Sequence, residues 1–490
     1  MAKDETTMQT SSPITLDHLI GNKDVPSSSY AELRDPGRLT DVVGLIAQGD
    51  AATVDAAVRA AHEAFQSWKK TSYEERAALL RTAADLLDAE ANAVVEIMAR
   101  ESGMLVGTNK AEIGMAANIV RDNAEAGEEF LKPMEVSDAE SWVSVEKRPI
   151  GVIADIVPWN APIILTMRKV APALVCGNTV VIKPAPTAPI GLTLLLKKMA
   201  ALFPAGVINV VHGGGDVGHA LSVHPLVRKV SFTGGGAVAR QIMKAAADGL
   251  KGVQFELGGN DPSILLPDAN FDDAIPKILG GAFRRSGQFC FAVKRVYVPS
   301  EAYADVVARL EAETDKFRIG HPLDQGVNFG PINNRGQFDF LKGLLERTRA
   351  SGATVRELGT VADPASWDNG YYMRPAIVSD IAMDAELVQI EQFGPILPVV
   401  KYDSLDEVIE SVNAGELGLG SSLWTRDFDE ALKIARRIEA GMTFINNVGT
   451  SRLGQKNIPF GGVKQSGIGR ESSPIGLREY VEYHALNYHK

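Results

Sequence analysis

Apolar residues recur at helical spacing through the first part of the chain. Between Ala51 and about Phe130 they fall three or four positions apart, which gives each predicted helix one apolar face. The positions on that face are Val54, Ala57, Val58, Ala61 and Phe65, followed by Ala77, Leu80, Ala84 and Leu87. The pattern predicts a helical block. The preceding residues 1–40 are rich in Ser, Thr, Asp and Pro, and they predict a lead-in that lies along the surface or is partly disordered.

From Gly151 to Gly259 the pattern changes to short, nearly continuous apolar runs that alternate with helical segments. Such runs are typical of parallel strands covered by helices on both faces, so the fold class is α/β. The predicted strands are Gly151–Val157, Asn178–Lys183, Val207–Val211, Lys229–Thr233 and Val253–Leu257, and the predicted helices are Ile163–Leu174, Pro189–Leu202, Val217–Val223 and Val238–Ala247. A second α/β block extends from Asp261 to about Met442. Its strand candidates are Arg295–Val298, Ala376–Val378, Leu397–Lys401, Ser421–Thr425 and, just beyond it, Thr443–Asn446.

Two further stretches predict strands at the surface. Ser141–Glu146 alternates polar and apolar residues with period two, and a Tyr-rich, strand-like tail follows Glu471. The first stretch lies between the helical block and the first α/β block. It is therefore either an arm that pairs with another subunit or an ordinary hairpin, and both interpretations stay open here.

Composition restricts the partners and the compartment. A chain of 490 residues exceeds what one core supports, so two or three domains are expected. A net charge of −11 argues against nucleic acid or an anionic membrane surface as a partner, because both require basic patches. Two cysteines cannot build a disulfide framework, residues 1–26 lack the apolar segment of a secretory signal, and no apolar run is long enough to cross a membrane. A cytoplasmic protein is expected, and no metal site is predicted.

Two glycine clusters stand between a predicted strand and a predicted helix. The cluster at 213–218 fits the pattern GxGxxG, and the cluster at 234–239 fits GxGxxA. At such a turn, main-chain N–H groups and the helix dipole favour a phosphate group, so both are candidates for dinucleotide binding. Neither has a clear acidic residue at the strand end where a ribose would bind. Tight turns without a ligand are the alternative interpretation.

The candidate chemistry depends on one cysteine and one glutamate. Cys290 lies between two aromatic residues shortly after Gly287, and Glu256 ends an apolar run. A thiolate on an exposed turn is a nucleophile, and a carboxylate desolvated by apolar neighbours can act as a general base. Taken singly, most lone cysteines are small core residues and most glutamates face water. Cys176, which lies in an apolar run, is interpreted as such a core cysteine.

Seven short motifs occur in one order along the chain. They are Pro158-Trp159-Asn160-Ala161-Pro162, Lys183-Pro184, Phe232-Thr233-Gly234, Glu256-Leu257-Gly258-Gly259, Gly287-Gln288-Phe289-Cys290, Glu391-Gln392-Phe393-Gly394-Pro395 and Pro459-Phe460-Gly461-Gly462. From about Val43 onward the chain resembles the aldehyde dehydrogenase superfamily. The resemblance implies a Rossmann-like cofactor domain (1–130 and 151–257), an α/β catalytic domain (258–455), and a β-arm for oligomerisation (131–150 and 470–490). A homodimer or homotetramer is expected.

The same resemblance implies roles in the NAD(P)-dependent oxidation of an aldehyde to its carboxylic acid. Cys290 would form a thiohemiacetal and then a thioester, Asn160 would stabilise the oxyanion, and Glu256 would activate the hydrolytic water. The residues implied to bind the cofactor are Trp159, Lys183, Gly215, Phe232, Thr233, Gly234, Gly235, Glu391 and Phe393. The chain departs from the common pattern at Gly235, where serine is usual, and at Ala239, where glycine is usual. One hydroxyl contact to phosphate is therefore missing.

The cofactor expected is NAD, with NADP tolerated. Many NAD-preferring members carry a glutamate three residues after the lysine, where it repels a 2′-phosphate, and this chain has Pro186 there. No arginine or lysine stands at 187–190 to attract the phosphate either.

The substrate expectation depends on arginines. Arg168 and Arg284 stand where members that take simple aliphatic aldehydes tend to have aromatic residues, and Arg285 and Arg452 are further candidates. Together with aromatic walls they indicate an aromatic aldehyde, as in salicylaldehyde- and vanillin-type members, or one with a polar or anionic group. Salt bridges within the fold are the alternative for these arginines. The predicted substrate contacts are Arg168, Arg284, Phe289, Phe291 and Phe460.

Four alternative functions remain. A succinate-semialdehyde-type dehydrogenase would pair two arginines with a substrate carboxylate. The CoA-acylating branch of the family lacks the glutamate that matches Glu256, so this residue favours hydrolysis. A cysteine, a glutamate and a lysine also serve nitrilase-type amidohydrolases. The last alternative is a binding protein with a decayed site, against which the presence of all three chemical residues argues.

Overall fold

The computed structural model describes residues 12–449 and 454–489 of the chain. Its helices are α1 (Ala51–Trp68), α2 (Tyr73–Ser102), α3 (Val106–Phe130), α4 (Pro162–Val175), α5 (Ile190–Ala200), α6 (Gly215–Val223), α7 (Gly236–Ala247), α8 (Phe271–Phe283), α9 (Tyr303–Thr314), α10 (Arg335–Ala350), α11 (Glu386–Gln389), α12 (Leu405–Ala414), α13 (Phe428–Ala435) and α14 (Ser473–Leu477). The predicted helical block is confirmed as α1 to α3. The four helices predicted in the first α/β block coincide with α4 to α7 to within a residue or two at each end.

The strands form six sheets within the described ranges. They are β1 (Ile14–Leu16), β2 (His18–Ile20), β3 (Lys23–Val25), β4 (Tyr30–Asp35), β5 (Arg38–Ala47), β6 (Met134–Ser137), β7 (Ser141–Pro149), β8 (Val152–Ile156), β9 (Thr179–Lys183), β10 (Ile208–Val210), β11 (Val227–Thr233), β12 (Gly252–Glu256), β13 (Asp261–Leu265), β14 (Val293–Pro299), β15 (Arg318–Ile319), β16 (Thr354–Glu357), β17 (Thr360–Val361), β18 (Ala376–Ser379), β19 (Ile396–Tyr402), β20 (Leu417–Gly418), β21 (Gly420–Trp424), β22 (Met442–Ile445), β23 (Val463–Lys464), β24 (Gly467–Ile468) and β25 (Val481–His489).

The first α/β block builds an eight-stranded sheet with the order β24-β12-β11-β8-β9-β10-β2-β3. Its strands β8 to β12 run parallel, and every residue of β8 and β9 is buried, as expected where helices cover both faces. In register, Ile156 lies beside Lys183 and Phe232, and Thr233 lies beside Glu256. The carboxyl ends of these strands therefore bring several predicted site residues to one edge of the sheet.

The second block builds a seven-stranded sheet with the order β16-β18-β19-β14-β13-β21-β22. All five strands predicted there are confirmed. Strand β13 was not predicted, because its first residues, Asp261 and Pro262, are typical of a turn. It follows β12 after only residues 257–260, so this short segment links the two large sheets. Cys290 precedes β14 and Glu391 precedes β19, so both lie close to this link in the fold.

Helices α1 and α2 begin with side-chain caps that the sequence encodes locally. Asp50 and Thr53 form a capping box at α1, and Ser72 and Glu75 form another at α2. Helix α2 ends at Gly103, whose φ of 78° is the left-handed conformation that glycine adopts without strain. Helix α3 then packs between α2 and α4, which places it against the start of α4.

The surface strands form a separate three-stranded sheet with the order β25-β7-β6. Strand β7 forms a hairpin with β6 and also pairs with the C-terminal strand β25 along its whole length, from Val481 beside Pro149 to His489 beside Ser141. Both predicted surface strands are thus confirmed, and the pairing of this sheet with another subunit stays a prediction. The domain boundaries drawn from the sequence stay predictions.

For the part of the lead-in that the structure describes, the partly disordered alternative is wrong, because this part forms strands, most of whose residues are exposed or half-buried at the surface. Strand β1 pairs with β5, β2 pairs with β10 at the edge of the eight-stranded sheet, and β4 pairs with β5. Leu16 and Leu19 are buried there. The polar composition did not indicate these strands, because they are only three to six residues long and each buries few side chains. Among the described residues, no helix is long and apolar enough to cross a membrane.

Candidate active site

Two cavities meet at Cys290. The cofactor-side cavity, of about 270 Å³, is lined by residues that follow β8, β11 and β12 and by the segment before β19. The substrate-side cavity, of about 290 Å³, is lined by α3, α4 and residues 284–291. Asn160, Leu165 and Cys290 line both cavities. A group bound from either side therefore reaches the same thiol.

A left-handed turn precedes Cys290. Arg285, Ser286 and Gly287 have φ values of 55°, 54° and 76°. A side chain at Gly287 would place its Cβ 2.3 Å from the main-chain oxygen of Gly394, so only glycine fits there. Non-glycine residues in this conformation cost of order 1–3 kcal/mol each and persist only where surrounding contacts hold them. The turn is thus a strained feature directly beside the nucleophile.

Burial controls the protonation of Cys290. It raises the pKa of the Cys290 thiol to about 12, although the charges of Lys294 and Arg168 act in the opposite direction. The Lys294 Nζ donates a hydrogen bond of 2.7 Å to the main-chain oxygen of Phe289, next to the cysteine. At neutral pH Cys290 is therefore a thiol in this structure. Nucleophilic attack then requires a base that takes the proton as the carbon–sulfur bond forms.

Asn160 is fixed to the segment that carries the cysteine. It is 4 % exposed, and its Nδ2 donates to the main-chain oxygen of Gln288 at 3.1 Å. A side-chain amide has two N–H groups, so this bond leaves the second one for another acceptor. Since Asn160 lines both cavities with Cys290, that N–H is available to an oxygen on the carbon that the thiol attacks.

Glu256 ends β12 at the edge where the parallel strands finish. It is 2 % exposed, and neither of its carboxylate oxygens has a hydrogen-bond partner among the described residues. Burial raises its pKa well above the ordinary value, the charge of Glu471 raises it further, and Lys169 and Arg168 oppose this. A carboxylate with a raised pKa accepts a proton more readily than an ordinary glutamate does, which suits a general base.

Most residues predicted to hold a cofactor lie together in the cofactor-side cavity. They are Trp159, Thr233, Gly234, Gly235, Glu391 and Phe393. The Oγ1 of Thr233 is buried there without a partner among the described residues. Helix α7 begins directly after Gly235 with no side-chain cap, and a Cβ at Gly235 would meet no atom within 4 Å. Free N–H groups at an open helix N-terminus suit a phosphate group.

The other end of the cofactor-side cavity carries a carboxylate and two rings. Glu391 accepts a hydrogen bond of 3.1 Å from the main-chain N–H of Gly259, and its carboxylate lies 3.6 Å from the Lys294 ammonium. The rings of Trp159 and Phe393 meet edge to face at 5.7 Å between centroids. The residues therefore offer carboxylate oxygens and apolar walls, a set that fits a ribose and a planar heterocycle.

Three predicted cofactor residues do not line this cavity. The Phe232 ring is buried beneath Gly234 and packs edge to face against Phe255. Lys183 is 6 % exposed, and its Nζ donates to the main-chain oxygen of Pro184 at 3.3 Å. Burial lowers the pKa of Lys183 to about 8. Gly215, the third, is the first residue of α6. Of the three, Phe232 therefore has a side chain that packs in the hydrophobic core and does not face the cavity.

The predicted substrate residues cluster on the substrate-side cavity. It is lined by Arg168, Arg284, Phe289 and Phe291. Phe460 is not among the residues that line this cavity, but its ring packs against that of Phe291, with 5.6 Å between the ring centroids. The Arg168 guanidinium stacks over Phe460 at 4.2 Å, and that of Arg284 lies 4.9 Å from the Phe289 ring centre. The cavity combines aromatic walls with two cations.

Arg285 also lines the substrate-side cavity, but its charge is already neutralised. Its Nη2 lies 2.7 Å from the Oε2 of Glu112, and both side chains are buried. The salt-bridge alternative is therefore correct for this arginine. Arg452 lies outside the described residues.

The sequence patterns did not indicate several residues of the site. Thr108, Ala111 and Met115 line the substrate-side cavity from one face of α3, and Gln337 and Phe340 of α10 line the cofactor-side cavity. On a helix these residues look like ordinary amphipathic positions, so no chemical signal distinguishes them. Glu112 carried a signal, since a carboxylate on the buried face of a predicted helix requires a partner.

Comparisons with known proteins agree on one family. The profile of the aldehyde dehydrogenase family matches residues 25–486. Aldehyde dehydrogenase 1A1 of Gallus gallus is 35 % identical over 447 residues, which cover 89 % of this chain and 86 % of the relative. The crystal structure of an NADP-dependent enzyme of E. coli is 32 % identical, with a TM-score of 0.92 and coverage of 97 % and 98 %. That of betaine aldehyde dehydrogenase from Staphylococcus aureus, in complex with NAD+, is 27 % identical, with a TM-score of 0.90 and coverage of 96 % and 94 %.

These matches extend over nearly the whole chain and include both large sheets. The predicted family, the α/β fold and the enzyme class are confirmed. The chain belongs to the aldehyde dehydrogenase family, and it is an oxidoreductase that acts on aldehydes.

Proposed function

We propose that this enzyme oxidises an aromatic aldehyde, or an aldehyde with an anionic group, to its carboxylic acid through a covalent intermediate on Cys290. The observation that carries the proposal is the convergence of Cys290, Asn160 and Glu256 on one cavity. These three groups supply a nucleophile, an oxyanion donor and a base, which is the full set that acyl transfer from an aldehyde needs.

The steps follow from the protonation states. The Cys290 sulfur adds to the aldehyde carbon, its proton passes to solvent water, and the carbonyl oxygen becomes an oxyanion. The free N–H of Asn160 donates to this oxyanion, a contribution of about 3 kcal/mol. Loss of a hydride from that carbon, for which a bound nicotinamide would be the acceptor, would leave a thioester on Cys290. Glu256 then takes a proton from the attacking water, whose oxygen bonds to the thioester carbon. The carbon–sulfur bond breaks, the Cys290 sulfur takes up a proton, and the carboxylic acid leaves while Glu256 returns its proton to solvent.

The residues of the cofactor-side cavity fit a nicotinamide dinucleotide. Gly234, Gly235 and the start of α7 would hold the diphosphate, and Glu391 would bind a ribose. When bound, the nicotinamide supplies the hydride acceptor. Solved relatives are described with NAD+ or as NADP-dependent.

NAD with NADP tolerated is the cofactor use that we propose. A cavity of about 410 Å³, lined in part by Pro186, supports this proposal. It leaves room for a 2′-phosphate on a ribose bound near Pro186. Arg34 and Arg335 line that cavity, but each is paired with a carboxylate, Glu32 and Asp339 respectively. The pairing leaves little positive charge to select a 2′-phosphate.

Hydrolysis is favoured over transfer to coenzyme A. Glu256 lies in the cavity that contains Cys290, where it can activate water beside a thioester. The family assignment argues against the amidohydrolase alternative. The three reactive groups share one cavity, which argues against a decayed site.

The charge of the substrate-side cavity supports the substrate class. Arg168 and Arg284 line it, and no carboxylate is found among the described lining residues. Arg284 has no ion pair within the described ranges, whereas Arg285 is matched by Glu112. An anionic group on the substrate would receive charge-assisted hydrogen bonds from these guanidinium groups. The rings of Phe289 and Phe291 favour an aromatic body over a short semialdehyde.

The thiol assignment is tested by Cys290→Ala. We expect oxidation to be abolished while NAD binding, measured by calorimetry, changes less than about twofold, because the residue contacts the substrate carbon and not the cofactor. Cys176→Ala is the matched control, since that cysteine is buried away from both cavities and should leave turnover intact. Turnover that survives in Cys290→Ala contradicts the proposal.

The substrate class is tested by kcat/KM for benzaldehyde, hydroxybenzaldehydes, succinate semialdehyde and hexanal. In Arg168→Leu we expect kcat/KM for the anionic substrates to fall by about tenfold to a hundredfold, because a hydrogen bond to a charged group contributes about 1.5–3 kcal/mol. The fall is measured relative to benzaldehyde, because the Arg168 charge also acts on the pKa values of Cys290 and Glu256 and its loss affects every substrate through them. Arg347→Leu, at an exposed pair with Glu386, is the control. Hexanal as the best substrate, or a ranking unchanged in Arg168→Leu, contradicts the substrate class.

A further inference from the structure

A buried carboxylate of α3 joins three parts of the active site. Glu112 is fully buried, and its Oε1 accepts hydrogen bonds from the main-chain N–H groups of Ile163 at 2.7 Å and Ile164 at 3.2 Å. Helix α4 has no side-chain cap from its own N-cap residue, so Glu112 supplies the missing acceptor from another helix. The start of α4, directly after Asn160, is thereby held by a side chain of α3.

The second oxygen of the same carboxylate holds the turn before the nucleophile. The Oε2 of Glu112 lies 2.7 Å from the Nη2 of Arg285, and the Nη1 of Arg285 donates to the main-chain oxygen of Asn160 at 2.7 Å. In return, the Asn160 side chain donates to the main-chain oxygen of Gln288. The two segments are therefore linked in both directions, side chain to main chain each time.

The backbone of the turn depends on these bonds. Arg285 and Ser286 both have left-handed φ values, and a strained conformation persists only where contacts over-determine it. The Arg285 guanidinium forms charge-assisted bonds in a buried setting, the strongest kind available to a side chain. Loss of these bonds frees both the turn before Cys290 and the loop that contains Asn160.

We propose that the Glu112–Arg285 pair is a positioning element that sets the Asn160 amide relative to the Cys290 sulfur. The inference rests on the proposed function, in which Asn160 donates to the oxyanion. Neither Glu112 nor Arg285 touches the reacting atoms in this scheme. Both act through Asn160, and Arg285 is thereby distinguished from its neighbour Arg284, which is left to contact substrate.

The test compares Arg285→Met in two backgrounds. In the wild type we expect kcat/KM for the preferred aldehyde to fall by about tenfold or more, because a misplaced oxyanion donor loses most of its contribution. In the Asn160→Ala background the same substitution should change kcat/KM by less than about twofold, since residues that act through one group are not additive. The Kd for NAD should stay constant in all four proteins, because neither side chain is assigned a contact with the cofactor.

Three further variants complete the design. Arg285→Lys keeps a cation beside Glu112 but cannot make both bonds, so it should restore part of the lost activity. Arg38→Met is the matched control, because Arg38 pairs with Asp324 at 2.7 Å outside both cavities, and its kcat/KM should equal that of the wild type. If Arg285→Met does not fold, Glu112→Gln replaces it. Glu112→Gln keeps a side-chain oxygen that can accept from the N–H groups at the start of α4, but it loses the ion pair with Arg285. We expect kcat/KM to fall in the wild-type background and to stay nearly constant in the Asn160→Ala background.

The outcomes separate this inference from the function on which it rests. An impaired Asn160→Ala together with an unimpaired Arg285→Met overturns the positioning role and leaves the oxyanion role intact. Losses that multiply in the double variant also overturn it, because Arg285 would then act independently of Asn160. An unimpaired Asn160→Ala overturns the oxyanion role itself, and with it this inference.

Discussion

At the scale of single residues, burial sets the protonation states on which the chemistry depends. The pKa values of Cys290 and Glu256 are both raised, the thiol to about 12, because desolvation disfavours each anion. Cys290 is thus a thiol, and Glu256 holds a proton more readily than an ordinary glutamate does. The sequence could identify both residues, because a cysteine and a glutamate in those motifs carry a chemical signature. It could not supply their protonation states, because these follow from burial in the folded chain and from charges such as that of Glu471, which is far from Glu256 in the sequence.

Substitution of the base is expected to slow the second half of the reaction. In Glu256→Gln the amide cannot accept a proton, so thioester should accumulate. We expect a burst of reduced cofactor followed by turnover slowed by about a hundredfold or more, measured by stopped-flow absorbance. In the wild type, kcat should rise with pH, because the carboxyl acts only when ionised and burial moves its pKa upward. This rise should be missing in the variant.

A second buried carboxyl provides the control for this prediction. Burial raises the pKa of Glu101 to about 8, and its oxygens accept hydrogen bonds from Ile190 and Gly191 at the start of α5. Glu101→Gln should therefore alter stability yet keep the pH dependence of kcat. A uniformly slow time course without a burst in Glu256→Gln would count against the deacylation base.

At the scale of elements, the strand–helix alternation was predictable and the contacts between elements were not. The apolar runs of β8, β9 and β11 and the glycine turn before α7 are local signals, and the structure contains all of them. The contribution of α3 is not local. Its side chains at Thr108, Ala111 and Met115 join the site only because α3 packs against α4.

The arginines illustrate the same limit. In the sequence, Arg284 and Arg285 are adjacent and equivalent candidates. In the structure a left-handed turn separates their roles, since Arg285 is paired with Glu112 and Arg284 remains on the cavity. A pairing between residues so far apart in the chain cannot be read from spacing, because the packing of α3 against α4 and the turn creates it.

At the scale of the whole molecule, the three-stranded sheet β25-β7-β6 stands apart, because it belongs to neither of the two large sheets. This sheet carries apolar side chains that are exposed to solvent in the single chain. Met134 is 62 % exposed, Val136 is 70 % exposed, and Tyr483 and Tyr488 are each 56 % exposed. Both β6 and β25 are edge strands, and exposed apolar edges favour association unless they are covered. A second copy of the chain would cover them.

The last prediction is that this sheet holds the oligomer together. Wild-type enzyme should sediment as a dimer or tetramer, and Met134→Glu combined with Val136→Glu should shift it to a smaller species. In a symmetric assembly each substitution appears in every copy and places like charges at the interface. The control is Phe428→Glu, an equally exposed apolar residue at the start of α13 (64 % exposed), which should leave the mass unchanged. Analytical ultracentrifugation measures all three proteins. The same mass for the wild type and the double variant would remove this sheet from the interface, because a pair of buried carboxylates without partners cannot be accommodated between subunits.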